Sequence, residues 1–249
     1  MLLQMMTWNE VEAHLERSTA VIVPIGSTEQ HGPNGLIGTD ALTAEYIAKG
    51  VGEETDAIVA PTISVGMAQH HMEFTGSMTL KPSTLILVIK EWVESLAKHG
   101  FTRVYFVNGH GGNIATINAA FQEVYADQSL ARAGNRPAVR CRLRNWWDGK
   151  DVHDFCQSLW GDKDGSHATI SEVAVTQYLF PDHIKRADDM GPPSGWRGGF
   201  ADAEDYREKF PDGRIGSHPY LATPETGKQI YDIAVKDVAA DYRAFADGR

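Results

Sequence analysis

Cysteine is scarce in this 249-residue chain: there are two, Cys141 and Cys156, and neither belongs to a Cys-x-x-Cys pair. That excludes a disulfide framework and a thiolate cluster, and it fits a reducing compartment. Both read as buried, small apolar residues. Basic charge is also short, with 23 Lys and Arg against 33 Asp and Glu for a formal charge of −10. Nucleic acid and anionic membrane surfaces reward a basic face, so neither is an expected partner. No apolar run approaches the roughly 20 residues that a membrane span requires. Met1 to Glu12 has no basic region before its apolar residues, so it does not read as a signal peptide, and a cytoplasmic protein is expected. Repeats, low-complexity tracts and linker-like breaks are absent too, which predicts one domain over 1–249.

What is present alternates between strand and helix. Thr7 and Glu10 form a capping box for a first helix running to Glu16. Ala20 to Ile25 is a short β-branched apolar run of the kind buried in parallel sheets, and Ala57 to Pro61 is a second. Between them Ala41 to Ala48 reads as helix. The polar, histidine-containing stretch Gly66 to Thr79 reads as a loop over the site. A helix from Leu85 to His99 is closed by Gly100. The strand Arg103 to Val107, a helix from Ile114 to Tyr125, a strand from Pro137 to Leu143 and a helix from Ser171 to Phe180 follow. Asp188 to Tyr220 is rich in Gly, Pro and Asp with little periodicity, and reads as a long, partly ordered excursion. A closing helix runs from about Glu225 to Phe245. This order predicts an α/β fold, a three-layer α/β/α sandwich around a mostly parallel sheet.

Ligand-type residues sit where such a sheet puts its active sites, at the carboxyl ends of strands. Glu29 and His31 follow the first strand at a spacing of two, so on an extended backbone they share a face; Asp40 lies just beyond. His110 follows the Arg103 strand within Asn108-Gly109-His110-Gly111-Gly112-Asn113. A third group, Asp164 to Glu172, contributes His167 and Glu172 at a loop-to-helix transition. These carboxylates and imidazoles suit Zn²⁺, Mn²⁺ or Fe²⁺ and suffice for two divalent ions, with Asp40 as the natural bridge. Two such ions can share a hydroxide and hydrolyse an amide without a covalent intermediate. Each element has a plainer reading. Glu-x-His alone is weak evidence, His70 and His71 could decorate a solvated loop, and Glu172 could simply cap a helix. Asn108 to Asn113 could cradle a phosphate, which would make the chain a nucleotide-binding domain. His14, His99, His153 and His183 lack such company and are given no role.

Taken together, these motifs resemble the creatininase family of metal-dependent amidohydrolases. The resemblance spans Pro24 to Gly32 with Asp40, His71 to Leu80, Asn108 to Asn113, His167 to Glu172, and Gly216 with Ala222 to Gly227. It implies the three-layer fold, a binuclear site acting on a small-molecule amide, and a homohexamer. By resemblance, Glu29, Asp40 and His110 hold one ion, and His31 with the bridging Asp40 holds the other. His71, Ser77, Gly111 and Trp147 become substrate-binding candidates. Creatinine-hydrolysing members carry Tyr and Glu after the motif histidine, and that Glu binds the second ion; here these positions are Gly111 and Gly112. Glu172 is the expected replacement, with His167 as the acid that protonates the departing nitrogen. Lys163 stands where an aromatic clamp is expected, so creatinine is not the expected substrate. A formamidopyrimidine-type deformylase and a peptidase for a modified peptide are the alternatives within the family.

Overall fold

The computed structural model describes residues 1–131, 138–187 and 190–248. Four parallel strands, β1 (Ala20–Ile25), β2 (Ile58–Val59), β3 (Arg103–Asn108) and β4 (Arg140–Asn145), form one sheet in the order β2-β1-β3-β4. Every residue of β1 is buried, as befits a central strand covered on both faces. Pro24 is tolerated there because its ring nitrogen faces the side on which β2 has already ended; its carbonyl still accepts from Ile63 N–H at 3.0 Å.

Successive β1 side chains feed two separate cores. Val21, Val23 and Ile25 pack with α3 (Pro82–Lys98) and α4 (Ile114–Leu130) on one face. Ala20 and Ile22 pack with α2 (Thr39–Thr55), α5 (Lys150–Trp160), α6 (Ile170–Leu179) and α8 (Pro224–Ala246) on the other. This is the expected three-layer sandwich. The first helix, α1 (Trp8–Leu15), carries the predicted Thr7 and Glu10 capping box.

Two expectations need correction, and one helix answers to none: Lys150–Trp160 forms α5, and its Val152 and Cys156 enter the core. The 188–220 excursion is built rather than loose outside Asp188 and Asp189, which lie beyond the described residues. It contains α7 (Ala203–Lys209) and buries Tyr206, Phe210 and Arg214. Cys156 is buried as expected, but Cys141 is only half-buried. The fourth strand begins at Arg140, and the proposed start at Pro137 falls outside the described residues. At this sheet edge the outward N–H and C=O of Cys141 both bond the Tyr125 hydroxyl, at 2.8 and 3.2 Å, and those of Val139 meet the Gln128 amide at 3.4 and 3.5 Å.

The connection leaving β1 crosses to the α2 face and the one leaving β3 crosses to the α4 face, so a crevice opens between their carboxyl ends. The first turn of α2 presses into it. A Cβ at Gly109 would collide with the Asp40 carbonyl. Gly109→Ala is therefore expected to cost about 1–3 kcal/mol of stability, the usual range for overpacking, and to weaken metal binding through Asp40; urea unfolding and a zinc titration measure the two effects.

Candidate metal centre

The crevice gathers the ligand-type residues from two post-strand segments and the starts of two helices. Glu29 and His31 come from the segment after β1, Asp40 from the first turn of α2, His110 from the segment after β3, His167 from the approach to α6 and Glu172 from its first turn. Ligand atoms converge within 4.8 Å in three sets: Glu29, Asp40 and His110; His31, Asp40 and Glu172; and Glu29, His31 and His167.

Backbone carbonyls fix how the two inner imidazoles present themselves. His110 Nε2 lies 3.0 Å from Met67 O, an acceptor only, so Nε2 carries the ring proton. Its Nδ1 then points a lone pair at Asp40 Oδ2 and Glu29 Oε1, 3.0 and 3.2 Å away. His31 is arranged the opposite way: Nδ1 donates to Glu29 O at 3.0 Å, and Nε2 faces Asp40 Oδ1 at 2.8 Å and Glu172 Oε1 at 3.9 Å. Acceptors facing acceptors repel unless a cation lies between them. Glu29 Oε2 and Asp40 Oδ2 are buried without a hydrogen-bond partner, although buried carboxylates are normally satisfied. Orphaned oxygens, oriented imidazoles and an all-N/O donor set fit a divalent metal.

Without metal, protons must take that place. Burial opposes charge on His31, but Asp40 and Glu172 outweigh it and push the ring up to about 10. Burial likewise opposes charge on His110, and Glu29 and Asp40 raise it to about 9. Despite burial, Asp40 is held well below the usual carboxylate range by the same two imidazoles. Burial pushes Glu172 up to about 7 against the pull of His31. Glu172 also completes a capping box, with Oε1 accepting from Thr169 N–H at 2.5 Å. The capping reading and the ligand reading thus describe one side chain in one pose.

Asparagines hold the frame. Asn108 binds the His110 carbonyl and N–H at 2.7 and 3.1 Å and reaches Asn145 at 2.8 Å. Asn113 ties Gly26 O to Met67 N–H, both at 2.9 Å. The Asn108–Asn113 motif therefore spends its polar side chains on orienting His110. A Cβ at Gly112 would run into His110 Nε2 and come within 2.8 Å of Met67 O, so this backbone admits no side-chain ligand there.

The remaining candidates divide. Gly111, Trp147, His110, His167 and Glu172 line a cleft of about 460 Å³. His71 and Ser77 are buried behind it: His71 Nε2 is 3.1 Å from Glu29 Oε1, and Ser77 Oγ accepts from Gln30 N–H at 3.1 Å. His70 is buried as well, against Phe200 and Tyr206, so the two histidines do not decorate a solvated loop. His153, given no role from sequence, stands on the cleft wall; the unrecognised helix α5 places it there. Lys163 is exposed on a single 3₁₀ turn.

Known proteins share the sequence family and the fold of this chain. A family model for creatininase, described as creatinine amidohydrolase, matches residues 4–241. The chain is similar to the mycofactocin precursor peptide peptidase of Mycobacterium tuberculosis, with 29% identity over 239 residues covering 88% of this chain and 83% of that protein. It is also similar to creatinine amidohydrolase of Pseudomonas putida, with 26% identity covering 94% and 93% of the two chains. The solved structure of creatininase Mn superposes with a TM-score of 0.87 at 25% identity, covering 98% of each chain.

Metal loading is expected to release protons. At pH 7 both inner imidazoles of the metal-free protein are charged, so loading should expel a proton from each, and affinity should climb until pH passes about 10. Calorimetry in buffers of different ionisation enthalpy counts them. The same rings stabilise the metal-free fold below their ordinary value near 6.5, and that contribution disappears as pH rises through about 9 to 10; thermal melts across this window should show the metal-free protein alone losing it.

Proposed function

The chain belongs to the creatininase family, and from that premise we propose that it is an amidohydrolase that cleaves the C–N bond of a small amide at a two-ion centre. Asp40 carries the reading: its Oδ2 faces the His110 and Glu29 donors while its Oδ1 faces His31. One ion would be held by Glu29, Asp40 and His110, the other by His31, Asp40 and Glu172. Zn²⁺ heads the list, and Mn²⁺ or Fe²⁺ suit the same donors. When bound, such ions supply an activated water and polarise the substrate carbonyl.

The chain's own residues do the rest. His167 Nε2 donates to Gln30 O at 2.8 Å, which leaves Nδ1 as a lone pair 3.8 Å from Glu29 Oε1. Burial, then the neighbouring His71 and His31, holds this ring well below its ordinary value, so it rests neutral with its Nδ1 lone pair unprotonated. His167 accepts the proton of the attacking water and returns it to the departing nitrogen. Trp147 supplies an apolar wall, and Gly111, with open space where a Cβ would stand, leaves room beside the carbonyl. His71 and Ser77 serve Glu29 and Gln30 rather than the substrate. Among the described residues the cleft lining has no Lys or Arg, which favours a substrate without a carboxylate near the scissile bond.

A second reading, cleavage of a short or modified peptide, is favoured by the similarity to a precursor peptide peptidase and by the width that Gly111 leaves open. The reading extends to a cytoplasmic homohexamer. Among the described residues no helix is long and apolar enough to cross a membrane.

Turnover of a panel of lactams, formamides and short peptides, with chelator controls, tests the activity and separates the two readings. Asp40→Asn should lose both ions, Glu172→Gln should fall from two to one, and His167→Ala should keep both while kcat drops about 10²- to 10⁴-fold. Elemental analysis beside steady-state kinetics reads all three, and full turnover by His167→Ala would overturn its role.

A further inference from the structure

Gln30 lies between two histidines and Glu29's neighbours, 6% exposed, and every polar atom it has is engaged. Its amide orientation is settled by its neighbours: Oε1 accepts from Gly32 N–H at 2.8 Å, and Nε2 donates to Gly213 O at 3.0 Å. The opposite orientation would set carbonyl against carbonyl. The second amide hydrogen has His71 Nδ1 at 2.9 Å. An amide NH₂ only donates, so His71 Nδ1 must accept, and the ring proton is left on Nε2, toward Glu29 Oε1. His167 Nε2 is also 2.9 Å from the amide, but its own proton is directed to the Gln30 backbone carbonyl, so it takes no hydrogen from the side chain.

We propose that Gln30 is a positioning residue that fixes the tautomer of His71, keeping that ring a proton donor toward Glu29 and outside the metal donor set. Reversing the tautomer would turn His71 Nε2 into a further lone pair 3.1 Å from Glu29 Oε1 and add a competing imidazole ligand. The two histidines are governed by different parts of one residue: His71 by the side chain, His167 by the main chain. The arm containing α7 makes this arrangement fit. Gly213 sits at a φ of +85°, a Cβ there would collide with the Gln30 amide, and its carbonyl also receives the Tyr206 hydroxyl at 2.8 Å.

The proposal rests on the metal-site reading, and its test keeps the two apart. Long-range ¹H–¹⁵N correlation on zinc-loaded, ¹⁵N-histidine-labelled protein reports which nitrogen of each ring is protonated. The wild type should show the Nε2–H pattern for both His71 and His167. In Gln30→Met, His71 should lose that fixed pattern while His167 keeps it, and zinc affinity should change by about 10-fold or more. Gln30→Glu, which can accept but not donate, should drive His71 to the Nδ1–H pattern. The unchanged His167 pattern certifies that each variant is folded. An Nδ1–H pattern for His71 in the wild type, or an unaltered His71 in folded variants, would overturn the proposal. A wild type that binds no zinc would instead strike the metal-site reading, and the His71 pattern of that protein would still decide the role of Gln30.

Discussion

The repulsion between buried acceptors at Asp40 governs this molecule. One carboxylate, taken out of water at the start of α2, faces an imidazole through each of its oxygens, and Glu29 stands beside it with its Oε2 orphaned. Burying so much unmatched charge is costly unless cations accompany it. The nearby backbone is organised around that requirement. Met67 O and Glu29 O orient the two rings, asparagines fix the loop that carries His110, and a close approach at Gly109 lets α2 enter the crevice. Residues far apart in sequence share one electrostatic problem, and each contributes a geometric part of the answer.

Glu172 illustrates how a single side chain serves two purposes. A capping box holds one end of a helix by pairing N-cap and N3 residues, and here the N3 carboxylate is also a candidate metal ligand. Anchoring its Oε1 to the Thr169 N–H removes much of the rotamer freedom that a ligand would otherwise lose on binding. The glycine at 112 fits this solution, because the same backbone that fixes His110 leaves no volume for a ligand from that position.

The layered fold and the inner donors were legible because they depend on local signals. β-Branched runs, the two-residue spacing of Glu29 and His31, and the strand-end placement of His110 all survive in one dimension. The α5 helix carried a signal too, since Val152, Phe155, Cys156 and Leu159 recur at helical spacing, but charged residues and a following glycine-rich turn obscured it. The 190–217 arm was illegible for a different reason. Tyr206 is buried against His70 and His71 of a distant segment, and Arg214 is buried by bonding the Met190 and Gly191 carbonyls, neither of which a local apolar pattern announces. His71 and Ser77 lie near the site in sequence motif and in space, yet only the packing shows them turned toward Glu29 and Gln30.

The hydroxyl and amide that α4 lays along β4 have a bearing on self-association. A parallel sheet that ends in an open strand offers a row of backbone groups to any passing chain, and unguarded edges of that kind template aggregation. Here Tyr125 and Gln128 occupy the outward groups of Cys141 and Val139, so the opening stretch of this edge is covered from within its own chain. A second copy adding its own strand at this stretch would first have to displace both side chains, a cost that discourages pairing at the start of β4.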